Sequence, residues 1–408
     1  MLSWETSSSI ASMRHCRAWV EIDLAALKHN VEQIKASLAA RSDLMAVVKA
    51  DAYGHGAVTV AKTALQAGAS WLGVATVPEG IELRQANLKA PILVMGAVNT
   101  PEEVRVMARW QLQPTIVTPK QALVFSDILV NDSKQRSPLP VHLKLDTGMS
   151  RLGYSWQQAA DFYRFVQRLP QLEIASVYSH LATADDPDPT FMQTQQQRFE
   201  AAIAQLRSLD LQPPRLHLAN SAATLTDASL HYDLVRVGLG LYGLYPAPHL
   251  QTALSLRPVM QVKARITHLK TIAAGTGVSY GHQFVADRPM RIAVVGIGYA
   301  DGVPRLLSNR LTALIHGTPA PQIGAITMDQ MMLDVTHLTH LQEGDIVTLL
   351  GRDRQSQITA EDWANTLGTI SWEILCSFKH RLPRILVESA CEIEPTATHQ
   401  DSDASQRP

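Results

Sequence analysis

Hydrophobic and polar positions along the 408-residue chain follow two successive rhythms. In the first, short apolar runs near 44–49, 71–77, 91–96, 114–118, 139–146, 172–181, 214–220 and 234–239 read as strands. Segments 57–67, 78–87, 101–109, 119–128, 156–168, 190–208 and 221–229 lie between them and carry helical periodicity. Eight strands alternating with helices predict an α/β fold with a closed parallel (β/α)8 TIM-type barrel. An open doubly wound sheet is the alternative, but no glycine-rich dinucleotide fingerprint follows the first strand. Ahead of the barrel rhythm, Val20 and Ile22 alternate with Glu21 and Asp23 like a short strand, and Asp23 suits the N-cap of a helix over 24–41.

After about residue 250 the second rhythm begins. Val259–Leu269, Arg291–Gly298, Leu311–His316, Gln322–Ile326, Met331–Val335 and Asp345–Leu350 are β-rich and separated by Gly/Pro turns, with one clear helix near 359–366. The expected organisation is a flexible leader (1–16), the barrel (17–250), a mostly-β C-terminal domain (251–388) and a polar, disordered tail (389–408).

Composition narrows the setting. A formal net charge of -1 gives no sign of a nucleic-acid or membrane-surface partner. No apolar run is long enough for a transmembrane helix, and the leader lacks the apolar segment of a signal peptide. Cys16, Cys376 and Cys391 fit neither a disulfide framework nor a zinc site, so no metal is expected and a cytoplasmic location is the simplest.

Chemistry-bearing residues gather at predicted strand ends, where a parallel barrel places its active site. The first apolar run ends in Lys49 and passes into Ala50-Asp51-Ala52-Tyr53-Gly54-His55-Gly56. A lysine there either surfaces at a strand end or forms a Schiff base with its basicity lowered by the site. On the fifth barrel strand His142, Lys144 and Asp146 share one face, as do Ser176, Tyr178 and His180 on the sixth. The seventh ends in Asn220 and Ser221, and the eighth carries Arg236 and then Gly238.

The stretch Ala46–Gly56 (AVVKADAYGHG) resembles the pyridoxal-phosphate lysine motif of alanine racemases. Leu143–Gly153, Ser179–Asp185, His217–Ala223, Val235–Gly243, Gly277–Gly281 (GVSYG), Gly298–Gly302 (GYADG) and Thr327–Gln330 (TMDQ) continue the resemblance in family order over roughly 17–387. It implies a barrel followed by a β domain and racemisation of L- and D-alanine, with the product feeding peptidoglycan precursors. Lys49 would hold pyridoxal 5'-phosphate and act as a base on one face of the substrate. Tyr280 would act on the other, supported by His180 and Arg236. Arg236 would also face the cofactor's ring nitrogen, and Tyr53, Ser221, Gly238 and Leu239 would cradle its phosphate. Arg151 and the amide of Met328 would bind the substrate carboxylate, with Tyr299 and Asp185 at the entrance. Lys144 would either be carbamylated, orienting Arg151, or remain unmodified and paired with Asp146. Tyr280, Tyr299 and Met328 would come from the second subunit of a homodimer. His380 and Ala325 are departures: some members of the family have a phosphate-touching tyrosine and an arginine there. A racemase of broader specificity, a decarboxylase of the same barrel class and a non-catalytic cofactor carrier are the alternatives. The Tyr280 motif argues against the last two.

Overall fold

A computed structural model describes residues 16–130 and 137–388. The expected tail, and the expected leader apart from Cys16, lie outside the described residues.

The chain begins with strand β1 (Ala18–Asp23) and helix α1 (Leu24–Ser37), whose first turn is capped by Asp23 accepting from the Ala26 amide at 3.0 Å. The barrel follows: β2 (Asp43–Val47), α2 (Ala57–Gln66), β3 (Trp71–Val74), α3 (Val77–Gln85), β4 (Ile92–Val94), α4 (Pro101–Trp110), β5 (Gln113–Ile116) and α5 (Pro119–Val130). It continues with β6 (Leu139–Asp146), α6 (Ala159–Gln167), β7 (Leu172–Tyr178), α7 (Thr190–Ser208), β8 (Leu216–His217), α8 (Ser221–Thr226) and β9 (Leu234–Val237). Neighbouring strands are parallel, and β9 returns to pair with β2, Arg236 standing opposite Met45. Between β8 and β9 the ring is joined by two backbone bonds, Asp233 to Leu216 and Arg236 to Ala219, each 3.0 Å. All eight predicted barrel strands are present, and α7 occupies 190–208 as its periodicity predicts.

The second region holds β10 (Met260–Ile272), β11 (Gly277–Val278), β12 (Phe284–Val285), β13 (Met290–Val295), β14 (Thr312–Ile315), β15 (Thr318–Ile323), β16 (Met331–Asp334), β17 (Ile346–Asp353) and β18 (Ser356–Ile358). Helices α9 (Ala360–Leu367) and α10 (Ser371–Ser377) and strand β19 (Arg384–Val387) close the chain. The thirteen-residue β10 organises the sheet: its first half pairs with β1 and β17, and its second half with β13 across a bulge.

Two expectations need correction. Residues 18–23 do not join the barrel: β1 lies between β10 and β19 in the second sheet. Its six residues are all buried, because Glu21, the residue that made the pattern look amphipathic, is satisfied inside by Lys263 at 2.7 Å and Trp19 Nε1 at 2.9 Å. The second correction is α10, a helix that the β-rich reading of the C-terminal region passed over.

Candidate active site

Lys49 follows β2 and opens the most irregular backbone of the barrel rim. Ala50, Asp51, Ala52 and Tyr53 all adopt left-handed helical angles, φ 53–54° and ψ 40–49°. For L-residues that conformation costs about 1–2 kcal/mol each, so the surroundings must hold it. Glu79 accepts from the Ala50 amide at 2.8 Å, and Asp51 accepts from the Ala57 amide at 2.8 Å. The His55 Nδ1–H donates to the carbonyls of Ala52 (2.9 Å) and Tyr53 (3.1 Å). Arg384 donates twice to the Gly54 carbonyl, at 3.0 and 2.9 Å. Gly54 itself has φ +82°, and a Cβ there would lie 2.7 Å from the Leu375 carbonyl oxygen.

This turn walls a cavity of about 390 Å³ whose lining includes Lys49, Tyr53, His180, Ser221, Arg236, Gly238 and Leu239. The structure thus brings seven of the sequence-predicted residues to one place. Asp185 lines the same cavity. Gly238 is required by close approach, since a Cβ would stand 2.5 Å from the Tyr53 hydroxyl. Its amide donates to Ser221 Oγ at 3.0 Å, and the Gly240 amide reaches the same oxygen at 3.5 Å. Asn220 sets Ser221 in place by capping α8 through the Ala223 amide, 3.0 Å away.

Arg236 is the electrostatic centre. Its Nη1 donates to His217 Nδ1 (2.9 Å), while Nη2 reaches Ser179 O (2.8 Å), Leu218 O (3.0 Å) and His180 Nδ1 (3.1 Å). Burial lowers it to about 10, so it stays a cation at neutral pH. Tyr178 forms the floor: its ring stacks on His217 at 4.6 Å, and both the Arg236 guanidinium (5.2 Å) and the Lys144 amine (5.5 Å) sit over it. Burial, then Arg151, lowers the Lys49 amine. Burial, then Arg236 and Arg151, lowers Lys144 to about 8. Burial, then Arg236 and Lys144, holds His180 well below the usual imidazole range.

Other predicted residues lie elsewhere. Arg151 is exposed, yet its charge is felt by Lys49, Lys144 and His180. Among the described residues Lys144 forms no ion pair within 4 Å, and Asp146 instead accepts from the amides of Gly148 and Ser150. Tyr280 lines a separate cavity of about 600 Å³ in the β-rich region. Tyr299 and Met328 are exposed on adjoining loops there, locked by Tyr299 N to Thr327 O and Ala300 N to Met328 O, each 3.0 Å. His380 is exposed and Ala325 buried. Sequence reasoning missed Trp372 and Cys376, which line the barrel cavity from α10. Their signal was the unrecognised helix.

Sequence models of the alanine racemase N-terminal and C-terminal domains match residues 22–246 and 259–386. Alanine racemases of Nostoc sp. and Synechocystis sp. are 68% and 64% identical over 90% and 91% of this chain, covering 95% and 99% of their own lengths. Among solved structures, alanine racemase from Bacillus anthracis with bound L-Ala-P superposes with a TM-score of 0.86 at 34% identity, over 92% of this chain and 96% of that one. The enzyme from Streptomyces lavendulae superposes at 0.85 with 37% identity, over 92% and 98%. With matches spanning both regions at such identity, the chain belongs to the alanine racemase family.

Proposed function

We propose that the protein interconverts L- and D-alanine with pyridoxal 5'-phosphate by a two-base mechanism. The observation that carries this reading is the convergence of a lysine of lowered basicity, a buried guanidinium and a hydroxyl-and-amide cradle on one cavity. The donor set fits the cofactor. The Tyr53 hydroxyl and Arg236 Nε have no hydrogen-bond partner among the described residues, and the missing side chain at 238 lets the Tyr53 hydroxyl approach the backbone whose amide meets Ser221 Oγ, setting two hydroxyls beside one another for a phosphate. When bound, the cofactor supplies the electron sink that acidifies the α-hydrogen of an amino acid attached to it.

The residues divide the remaining work. Lys49 would hold the cofactor and, as a free amine, would move the proton at one face of the α-carbon. Burial favours its neutral amine, the form a base requires. Tyr280 of the partner subunit serves the opposite face. His180 accepts from Arg236 at Nδ1, so its Nε2 carries a proton that can be donated to a phenolate. Arg236 only donates, so it would hold the cofactor's ring nitrogen without protonating it. Tyr53, Ser221, Gly238 and Leu239 take the phosphate. Arg151 and the Met328 amide take the substrate carboxylate, with Tyr299 at the entrance. Lys144 is buried and forms no ion pair among the described residues; lowering to about 8 raises the share of neutral amine, to which carbon dioxide can add with release of a proton, and the resulting carboxylate would orient Arg151.

The reading includes a homodimer with shared sites, residues 17–250 holding the cofactor and 251–388 completing the neighbour's site. Its support is that Tyr280, Tyr299 and Met328 are exposed in the single chain although their proposed work needs enclosure. It also includes a cytoplasmic enzyme whose product supplies peptidoglycan precursors. Among the described residues no helix is long and apolar enough to cross a membrane. The test is a visible spectrum of the purified protein followed by chiral separation of its products from L-alanine. A cofactor band with D-alanine appearing is expected. A band without D-alanine overturns the racemase assignment, and no band after adding pyridoxal phosphate overturns the cofactor site.

A further inference from the structure

The proton positions below Arg236 follow from one another. Arginine has donors only, so the 2.9 Å bond from Nη1 makes His217 Nδ1 an acceptor and leaves the proton on Nε2. That proton goes to Ser176 Oγ at 2.8 Å. The Ser176 hydroxyl must then donate onward, to His142 Nδ1 at 2.6 Å. His142 in turn carries its proton on Nε2 and donates to Gln113 Oε1 at 2.7 Å. Four bonds point the same way, from the cavity to Gln113 at the start of β5, on the opposite end of the barrel. Ring packing fixes the planes: Tyr178 stacks on His217, and Trp71 meets His142 edge-on at 5.7 Å. Cations at both ends, Arg236 and Arg215, disfavour protonation of either imidazole, adding to burial.

We propose that His217, Ser176, His142 and Gln113 form a one-way hydrogen-bond chain that positions the Arg236 guanidinium against the cofactor ring, making Ser176, His142 and Gln113 positioning residues for a site they do not touch. This rests on the cofactor reading above. The chain tolerates only one direction. A carboxylate at 113 favours a doubly protonated His142, which would donate to Ser176. Ser176 would then turn its proton to His217 Nε2, and His217 Nδ1–H would face the Arg236 donor.

Two measurements test the proposal. In 15N-histidine-labelled protein at neutral pH, the ring signals of His142 and His217, assigned by their loss in H142Q and H217Q, should both report neutral Nε2–H tautomers. A neutral Nδ1–H ring or an imidazolium at either position overturns the chain, whatever the fate of the cofactor reading. In the holoenzyme, Q113E and H142L should each displace the cofactor's visible band and lower kcat about tenfold, as outer-shell changes do, with KM for alanine unchanged. H142Q retains an acceptor toward Ser176 and a donor toward Gln113, and should restore both. Wild-type band and kcat in Q113E and H142L, with only the unfolding midpoint lowered, would reduce the chain to a structural role. If the larger changes prevent folding, S176A interrupts the same chain by a single hydroxyl and decides the matter. Absence of a cofactor band in the unaltered protein would instead count against the cofactor reading, leaving the tautomer result to stand separately.

Discussion

The barrel rim and the loops of the β-rich region are built on opposite terms. At the barrel rim the central polar groups are enclosed and tied down: Arg236 makes four hydrogen bonds inside the protein, and the turn after Lys49 is held from three sides. On the β-rich loops the backbone is equally well tied, but the side chains point outward. Tyr280 is 73% exposed, Met328 53% and Tyr299 42%. The proposed dimer would cover these exposed side chains with a surface of the second subunit. On the proposed reading, the first region would cradle the cofactor and the second would complete the site of a neighbouring subunit.

The sharpest way to break that comparison is to damage one region in each of two protein batches. Lys49→Ala should abolish the cofactor band and racemisation together. Tyr280→Phe should keep the band and lose about 10²–10⁴-fold in kcat, the usual worth of an acid/base group. Each variant alone is then close to inactive. If every site takes Lys49 from one chain and Tyr280 from the other, mixing and re-forming dimers creates one intact site in each mixed dimer. With half the dimers mixed, about a quarter of wild-type activity should return. No recovery after demonstrated subunit exchange would mean that each site draws both groups from one chain.

A smaller effect separates the two anchors. Asp301, fully buried, receives Arg17 at 2.9 and 2.7 Å and the Gly298 amide at 2.9 Å, with Arg381 3.4 Å away. It ties the loop bearing Tyr299 to the N-terminal segment. Asp301→Ala should cost about 3 kcal/mol in denaturant unfolding, as breaking buried pairs does, and should raise KM for alanine while sparing the cofactor band. Glu79 is the barrel's counterpart: one carboxylate takes the amides of Ala50 (2.8 Å), Ala75 (2.7 Å) and Thr76 (3.1 Å). Glu79→Ala should cost less, about 1–2 kcal/mol, but should lower kcat ten- to about a hundredfold through displacement of Lys49. Equal effects on KM and kcat in the two variants would erase the distinction between the regions.

These anchors also mark what the sequence could and could not disclose. The barrel was legible because parallel strands buried on both sides leave continuous apolar runs, and β2 to β9 fall where those runs lie. The cavity residues were legible because strand ends and the family motifs coincide at Lys49, Ser221, Arg236 and Gly238. The left-handed turn was not, since Ala50, Ala52 and Tyr53 have no preference for positive φ and the turn is held by Glu79 and Arg384, distant in sequence. The placement of β1 was hidden for a related reason: Glu21 looks solvent-facing until Lys263 is brought beside it. Long-range polar partners override local pattern, and a single chain's pattern carries no record of them.

The mildest prediction uses acid to compare the regions. His55 and His142 are fully buried, and burial lowers them to about 4 and about 3; burial also holds His180 and His217 far below the usual range. In the β-rich region His268, His282, His316, His337 and His340 are all exposed. An unfolded histidine titrates near 6.5. Between that value and the lower folded one, unfolding takes up a proton, so each such group adds stability that is complete above pH 6.5 and is lost as pH falls. The loss is about 1.4 kcal/mol per pH unit for each group in that window. Unfolding free energies measured from pH 6.5 to 5, above the range where carboxylates dominate, should fall steeply for the unaltered protein. The H142Q variant should show a slope shallower by about one proton. Parallel curves for H142Q and wild type would mean that His142 is already protonated in the folded barrel, and the contrast between buried neutral imidazoles in the barrel and exposed ones on the β surface would lose its energetic content.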